Sequence, residues 1–258
     1  MRRRRVLATL VAAATAGCAA PQADGNHTGS TPTTADRSLA ELGRPSTICE
    51  TEPMADPGIY AIDAPATAPD WNGVDVDDRY GTLDDDTVVI GVERDGAARA
   101  YPLPIVWYHE VVNDALGGPL LVTYCPICRS AMVAERRVAG EPATFEVTGK
   151  LWVPPEIQSR ASEGDGRTFG VDADTANKTE IRNSGNVVLV DDLTGSYWSQ
   201  ILAQAICGPQ EGERLTAVPA SVRTWREWRE THPDTDVLLP PPQSGTIRPA
   251  DDGTGNRS

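Results

Sequence analysis

The chain has 258 residues, a formal net charge of −14 and only 5% aromatic residues. With 37 acidic side chains against 23 basic ones it lacks the basic footprint that nucleic acid requires, so no nucleic-acid partner is expected. Lys150 and Lys178 are the only lysines; so acidic and lysine-poor a composition resembles the surface of a haloarchaeal protein, and the charge is read as a solvated surface.

Residues 1–18 read as a targeting segment and stand outside the fold argument. Arg2–Arg5 form a basic start, Val6–Ala16 an apolar run, and Thr15-Ala16-Gly17-Cys18 resembles a lipobox, which makes Cys18 the expected lipidation site. The run is too short for an ordinary spanning helix, which needs about 20 apolar residues. Arginine pairs ahead of Val6-Leu7 fit export by the twin-arginine route. The expected location is the outer face of the cytoplasmic membrane, with the membrane as partner through the lipid on Cys18. Residues 19–44 are rich in Thr, Ser, Gly, Asp and Pro and read as a flexible tether. Residues 45–239 suffice for a single domain with its own core, and residues 240–258 read as a disordered tail.

Within the domain, Thr87–Glu93 alternates like a strand, Asp95-Gly96 signals a tight turn, and Ala98–Tyr101 answers as a second strand. Pro102–Trp107 fits one helical turn, since proline is tolerated at a helix start. Tyr108–Val112 and Leu120–Tyr124 then pair as a hairpin across Asn113-Asp114 and Gly117-Gly118. Ala131–Val138 and Ala143–Thr148 form another strand pair around Gly140. Pro154–Ser184 is polar and acidic and reads as a surface insertion. Asn186–Asp191 is a short buried strand, and Tyr197–Ala205 a helix. Ser221–Thr231 reads as a helix capped by Ser221, with Val222, Trp225 and Trp228 at helical spacing. The expected class is mainly β (α+β), an antiparallel curled sheet or partly open barrel with a few peripheral helices.

The hairpin concentrates the chemistry. It would carry His109 on one strand and end the other at Cys125-Pro126-Ile127-Cys128, joining an imidazole to two thiols. Three uses stay open. As a metal site, the Cys-Pro-x-Cys turn resembles a rubredoxin or zinc-ribbon knuckle, with His109 as third ligand and Cys207 or a carboxylate as fourth. A transition metal is thus the cofactor considered, although Arg129 stands where a knuckle has glycine and no second Cys-x-x-Cys is present. As a redox site, a thiolate beside His109 or Arg129 would be reactive toward an unidentified redox partner or small molecule. As a brace, Cys49, Cys125, Cys128 and Cys207 allow three disulfide pairings once Cys18 is set aside.

Lys150, in a chain that avoids lysine, is a candidate to point into the site. Trp198 and Gln200 are candidates to line a ligand pocket. Glu110 is assigned to the solvent face of its strand, Asp114 to the turn, and Asp191, Thr194 and Ser196 to a turn and helix cap. No Gly-x-Ser-x-Gly elbow supports a serine hydrolase.

The segments Ala100–Leu103, Trp107–Asp114, Val122–Cys128, Phe145–Leu151 and Asp191–Gln200 resemble, in that order, the family called domain of unknown function 3179. The likeness spans roughly Trp71–Leu239 and places Lys150 and the cysteine turn within family motifs, but implies no activity. The leading expectation is an exported, lipid-anchored domain with a thiol redox or metal-binding site. Its rival is a cell-surface binding or structural module braced by its cysteines, and geometry discriminates the two.

Overall fold

A computed structural model describes residues 49–50, 52–152 and 185–247. The signal segment with Cys18, the tether, the insertion 154–184 and residues 248–258 of the expected tail lie outside the described residues.

In chain order the strands are β1 (Ile62–Ala64), β2 (Thr67–Ala68), β3 (Val88–Arg94) and β4 (Ala97–Pro102). Helix α1 (Leu103–His109) leads into β5 (Val111–Ala115), β6 (Pro119–Cys125) and β7 (Ser130–Glu135). The short pair β8 (Arg137–Val138) and β9 (Glu141–Pro142) precedes β10 (Phe145–Trp152). Beyond the insertion come β11 (Asn186–Asp191), β12 (Tyr197–Ser199), β13 (Gln204–Cys207) and β14 (Ser221–Thr224). Helix α2 (Trp225–Thr231), β15 (Asp236–Leu238) and β16 (Gly245–Thr246) complete the domain. The large sheets run β16-β1-β5-β6-β7, β10-β11-β12-β13 and β14-β3-β4-β15-β2. Pairing is antiparallel except between β1 and β5 and between β4 and β15, and among the described residues no sheet closes into a barrel. The chain is mainly β, as its alternating pattern implies.

Strand alternation makes the first sheet a middle layer, because successive side chains leave opposite faces. Val112, Leu120 and Val122 join one core with Val89, Ile90, Tyr101, Trp225 and Trp228 of the third sheet and α2. Val111, Leu121 and Cys125 join another with Phe145, Val147, Leu189 and Trp198 of the second sheet. Gly91 on β3 gives α2 its seat: a Cβ there would lie 2.3 Å from the Trp228 ring.

Two consecutive polar residues of β5 fasten these layers. The Asn113 amide accepts from Phe145 N–H (2.8 Å) and donates to the Phe145 carbonyl (2.9 Å) and the Ile62 carbonyl (3.3 Å). On the other face Asp114 accepts from Arg99 at 2.6 Å and from the Tyr101 hydroxyl at 2.7 Å. Asn113-Asp114 therefore belongs to a buried strand. The reversal is made by residues 116–118, where Gly117 and Gly118 take φ of 57° and 121°.

The hairpin exists with Val112 opposite Val122, but it opens at Val111 because α1 continues through His109. Ala131–Val138 and Ala143–Thr148 do not pair along their length. β7 pairs with β6 and β10 with β11, and only β8 and β9 meet across Gly140. The expected Tyr197–Ala205 helix is replaced by β12 and β13, since Tyr197 and Trp198 pair with Val190 and Leu189 and bury their rings. Ser221 is not a helix cap. It starts β14, and Thr224 caps α2 in a capping box with Glu227. Residues 240–247, expected to begin the tail, are ordered: the Ser244 hydroxyl donates to the Leu239 carbonyl and accepts from Ala66 N–H, and β16 pairs with β1.

Replacing Asn113 by Ala removes the partners of the buried Phe145 N–H and carbonyl. Asn113→Ala should lower the unfolding free energy by about 3 kcal/mol, seen as a lower urea midpoint at unchanged slope. An unchanged midpoint would mean that apolar packing alone holds the two sheets.

Candidate functional site

The turn between β6 and β7 carries Cys125, Pro126, Ile127, Cys128 and Arg129. Arg129 adopts φ of 50°, so arginine occupies the left-handed position at which a glycine was the expectation. Cys125 is fully buried and Cys128 is exposed; both are free thiols. Cys49 and Cys207 form the disulfide, with Cα atoms 5.5 Å apart, which settles the pairing left open by the sequence.

The turn wraps amides around one sulfur. Cys128 N–H points at Cys125 Sγ at 3.1 Å, and the amides of Ile127 and Val187 also bond to it. The neighbouring Cys128 thiol, which donates to the Gly185 carbonyl at 3.3 Å, is the strongest influence on it. Together these donors outweigh burial and hold Cys125 down at about 6. Cys128 is pushed up, first by its neighbour Cys125, then by burial and by the Cys125 charge.

Gln200 and Asn186 pin this turn from the second sheet. Gln200 Nε2 donates to the Ser130 carbonyl at 3.0 Å, and its Oε1 accepts from Ser130 Oγ at 3.2 Å and Asn186 Nδ2 at 2.7 Å. Asn186 Nδ2 lies 3.9 Å from Cys128 Sγ, which itself lies 3.3 Å from the Gly185 carbonyl. Gln200, expected to line a pocket, is wholly buried and positions the turn. Trp198 is also core: its ring meets Phe145 edge-on and its N–H donates to Asp191 at 2.8 Å, so no polar edge remains for a ligand. Asp191, Thr194 and Ser196 form a hydrogen-bonded turn before β12, with no helix to cap. Lys150 sits half-buried on β10, and among the described residues nothing bonds its side chain to the cysteine turn.

His109 does not join the cysteines. It ends α1, and its ring lies 2.7 Å from the Tyr80 hydroxyl through Nε2 and 2.8 Å from the Tyr60 carbonyl through Nδ1. A carbonyl only accepts, so Nδ1 carries the proton and Tyr80 donates to Nε2. Burial first, and the Arg79 charge in addition, lower the His109 pKa and keep it neutral. The ring faces a cavity of about 440 Å³ lined also by Arg79, Tyr80 and Tyr108. Tyr80 belongs to one core and Cys125 to the other, on opposite faces of the middle sheet. Among the described residues no three His, Cys, Asp or Glu side chains form a group able to hold a metal, so His109, Cys125 and Cys128 do not assemble as a ligand set.

Glu110, not His109, is the residue at this helix end that is tied by its backbone to the strand leading to Cys125. It caps α1 in the left-handed region (φ 58°), with its N–H on the Val106 carbonyl and its own carbonyl accepting from Tyr124 N–H at 2.9 Å. Instead of facing solvent it is 6% exposed. Burial, then the charge of Cys125, raises its carboxyl to about 7. A period-two reading of Tyr108–Val112 sent Glu110 outward. Continuing the helical spacing of Ile105 and Val106 to His109 would have placed the helix end, and hence Glu110, correctly. Asn186 opens a strand directly after the insertion, and no sequence signal marks it.

Burial disfavours the charged form of Glu110 in the folded chain, so its contribution to stability is complete below the ordinary glutamate range and is lost as pH rises through about 7. Glu110→Gln removes that loss. Relative to the parent, its unfolding free energy should gain about 3 kcal/mol between about pH 4 and about pH 8, measured by urea denaturation at both. Parallel pH curves for the two proteins would mean that the carboxylate is solvated.

No curated protein and no solved structure matches the chain. One family model does, over residues 56–154 and 160–249, a span that takes in every strand from β1 to β16 together with Cys125 and Cys128. The chain therefore belongs to the family described as Protein of unknown function (DUF3179).

Proposed function

We propose that this domain performs thiol–disulfide exchange through Cys125 and Cys128, outside the membrane to which a lipid on Cys18 anchors it. One observation carries the reading: of the four domain cysteines Cys49 and Cys207 are bridged, while Cys125 and Cys128 are free thiols in one turn, where the Cys128 N–H points at the Cys125 sulfur. A brace alone calls for the first pair and gives no reason for the second. The Cys49–Cys207 disulfide does brace the fold, tying the start of the domain to β13, and is a bond that an oxidising compartment permits.

The solvent-facing sulfur begins the reaction. Cys128 Sγ attacks one sulfur of a substrate disulfide, its proton passes to the Cys125 thiolate, and the first substrate thiolate leaves with the electron pair of the broken S–S bond. Cys125 Sγ then attacks Cys128 Sγ, the mixed disulfide breaks, and the second substrate sulfur leaves as a thiol, taking the proton that Cys125 had received. The dithiol loses two electrons and the substrate disulfide gains two. A substrate must be small or extended enough to meet Cys128 at the surface, because Cys125 is buried.

Thiolate absorbance should rise through a midpoint near 6, disappear in Cys125→Ser, and move up toward the ordinary cysteine range in Cys128→Ala, which removes the strongest influence on the thiolate. Equilibration in a glutathione redox buffer followed by alkylation and mass spectrometry should find Cys125–Cys128 interconverting while Cys49–Cys207 stays oxidised. Two thiols that never bridge would return the site to a structural role. For the anchor, Cys18→Ala should move the protein from the membrane fraction to the soluble one; equal partitioning of the two forms would remove the lipid. Among the described residues no helix is long and apolar enough to cross a membrane.

A further inference from the structure

Two buried side-chain amides hold the cysteine turn to the second sheet, and backbone groups that bond in one sense only dictate how they point. Ile201 N–H donates to Asn186 Oδ1 at 2.9 Å, and the Ser199 hydroxyl donates to the same oxygen at 3.3 Å. Asn186 Nδ2 therefore faces the other way. At the far end the Ser130 carbonyl, which only accepts, takes Gln200 Nε2 at 3.0 Å and so turns Gln200 Oε1 toward Asn186. One N–H of Asn186 Nδ2 bonds to that oxygen at 2.7 Å. The other has Cys128 Sγ, 3.9 Å from the nitrogen, as its acceptor.

A tether alone has no use for this last contact, because Gln200 and Ser130 already join sheet to turn through two hydrogen bonds. A buried amide needs a partner for each polar atom, and a neutral thiol is a weak acceptor. A sulfur carrying negative charge is a better one, since charge on either partner roughly doubles the strength of a hydrogen bond. The surroundings of Cys128 make the difference count. In the resting thiol its S–H points at the Gly185 carbonyl, with sulfur and oxygen 3.3 Å apart. When that proton leaves, the carbonyl oxygen opposes the charge on sulfur, and the Asn186 N–H offsets it.

We propose that Asn186 stabilises the charge that develops on Cys128 Sγ as this sulfur attacks a substrate disulfide, with Gln200 fixing the sense of the Asn186 amide. The inference rests on the exchange reading above. In that first step the Cys128 proton passes to Cys125, the Cys128 electron pair forms the bond to substrate sulfur, and the first substrate thiolate leaves with the pair of the broken S–S bond. Asn186 keeps its own protons throughout. In the closing step Cys128 Sγ is the sulfur attacked and carries no charge, so Asn186 serves the first step and not the second.

The test uses the full chain in a Cys18→Ala background, reduced so that Cys125 and Cys128 are its reactive thiols, and mixed with the chromogenic aryl disulfide dithiobis(nitrobenzoate). Attack by Cys128 and closure by Cys125 each release one coloured product, in successive phases. Asn186→Ala, which withdraws the donor, and Asn186→Asp, which keeps its shape but makes it an acceptor, should each slow the first release at least about tenfold and leave the second unchanged. Ser130→Ala removes a bond between turn and sheet without touching Asn186 or Cys128, and should leave both phases as in the parent. With Cys125→Ser added, so that Cys128 reacts alone, Asn186→Ala should shift the pH midpoint of its alkylation by iodoacetamide upward by about one unit. An unchanged first release and an unchanged alkylation midpoint overturn the role of Asn186 and leave the exchange reading intact. Equal slowing of both phases, or equal slowing by Ser130→Ala, overturns it in favour of a turn that is merely held in place. A parent protein that releases a single product, with no Cys125–Cys128 disulfide by mass spectrometry, overturns the exchange reading as well.

Discussion

The structure depends on β5 burying an amide on one face and a carboxylate on the other. Neither group can be left without partners in a dry interior, so each dictates what lies opposite it. Asn113 demands the backbone of Phe145 and thereby sets β10 against the middle sheet; Asp114 demands Arg99 and Tyr101 and sets β4 against the other side. Apolar packing drives these layers together but tolerates sliding, whereas paired hydrogen bonds fix one register. The cysteine turn inherits that register. β6 and β7 carry it, and Gln200 and Asn186 meet it only because the second sheet is already fixed by Asn113.

Consecutive residues at the end of α1 serve different faces of the middle sheet. His109 closes the helix toward Tyr80, Arg79 and the cavity they line; Glu110 turns the chain left-handed and lies beside Cys125. A continued helix could not separate them in this way, since it would rotate each residue by a constant step. The left-handed turn at Glu110 ends the helix, and the hydrogen bond from Tyr124 N–H to its carbonyl ties that end to the strand leading to Cys125.

The carboxyl and the thiolate also limit one another. Both are acids in a poorly solvated pocket, and the Cys125 charge adds to burial in raising Glu110. Backbone amides and the Cys128 thiol favour the Cys125 thiolate, whereas burial disfavours the Glu110 carboxylate.

Local chemistry settled much of this protein in advance. Asp95-Gly96 signals a tight hairpin, the run Val88–Arg94 needs a face to bury and the apolar run Pro119–Cys125 needs two, so these strands and the mainly β class were legible from residue order. The cysteine turn was legible as well, because two thiols three residues apart are neighbours in any reversal. Asn113-Asp114 misled, since the polarity that favours turns also serves a buried strand when partners wait on both faces. Tyr197-Trp198 fits helix and strand equally, and pairing with β11 decided between them. The residue beside the thiols was a tertiary outcome too: α1 ran two residues further than its proline start suggested, moving His109 across the sheet and bringing Glu110 in. Sequence determines which groups are available and what each requires; the partner that meets the requirement comes from segments dozens of residues away, and only the packed layers bring it there.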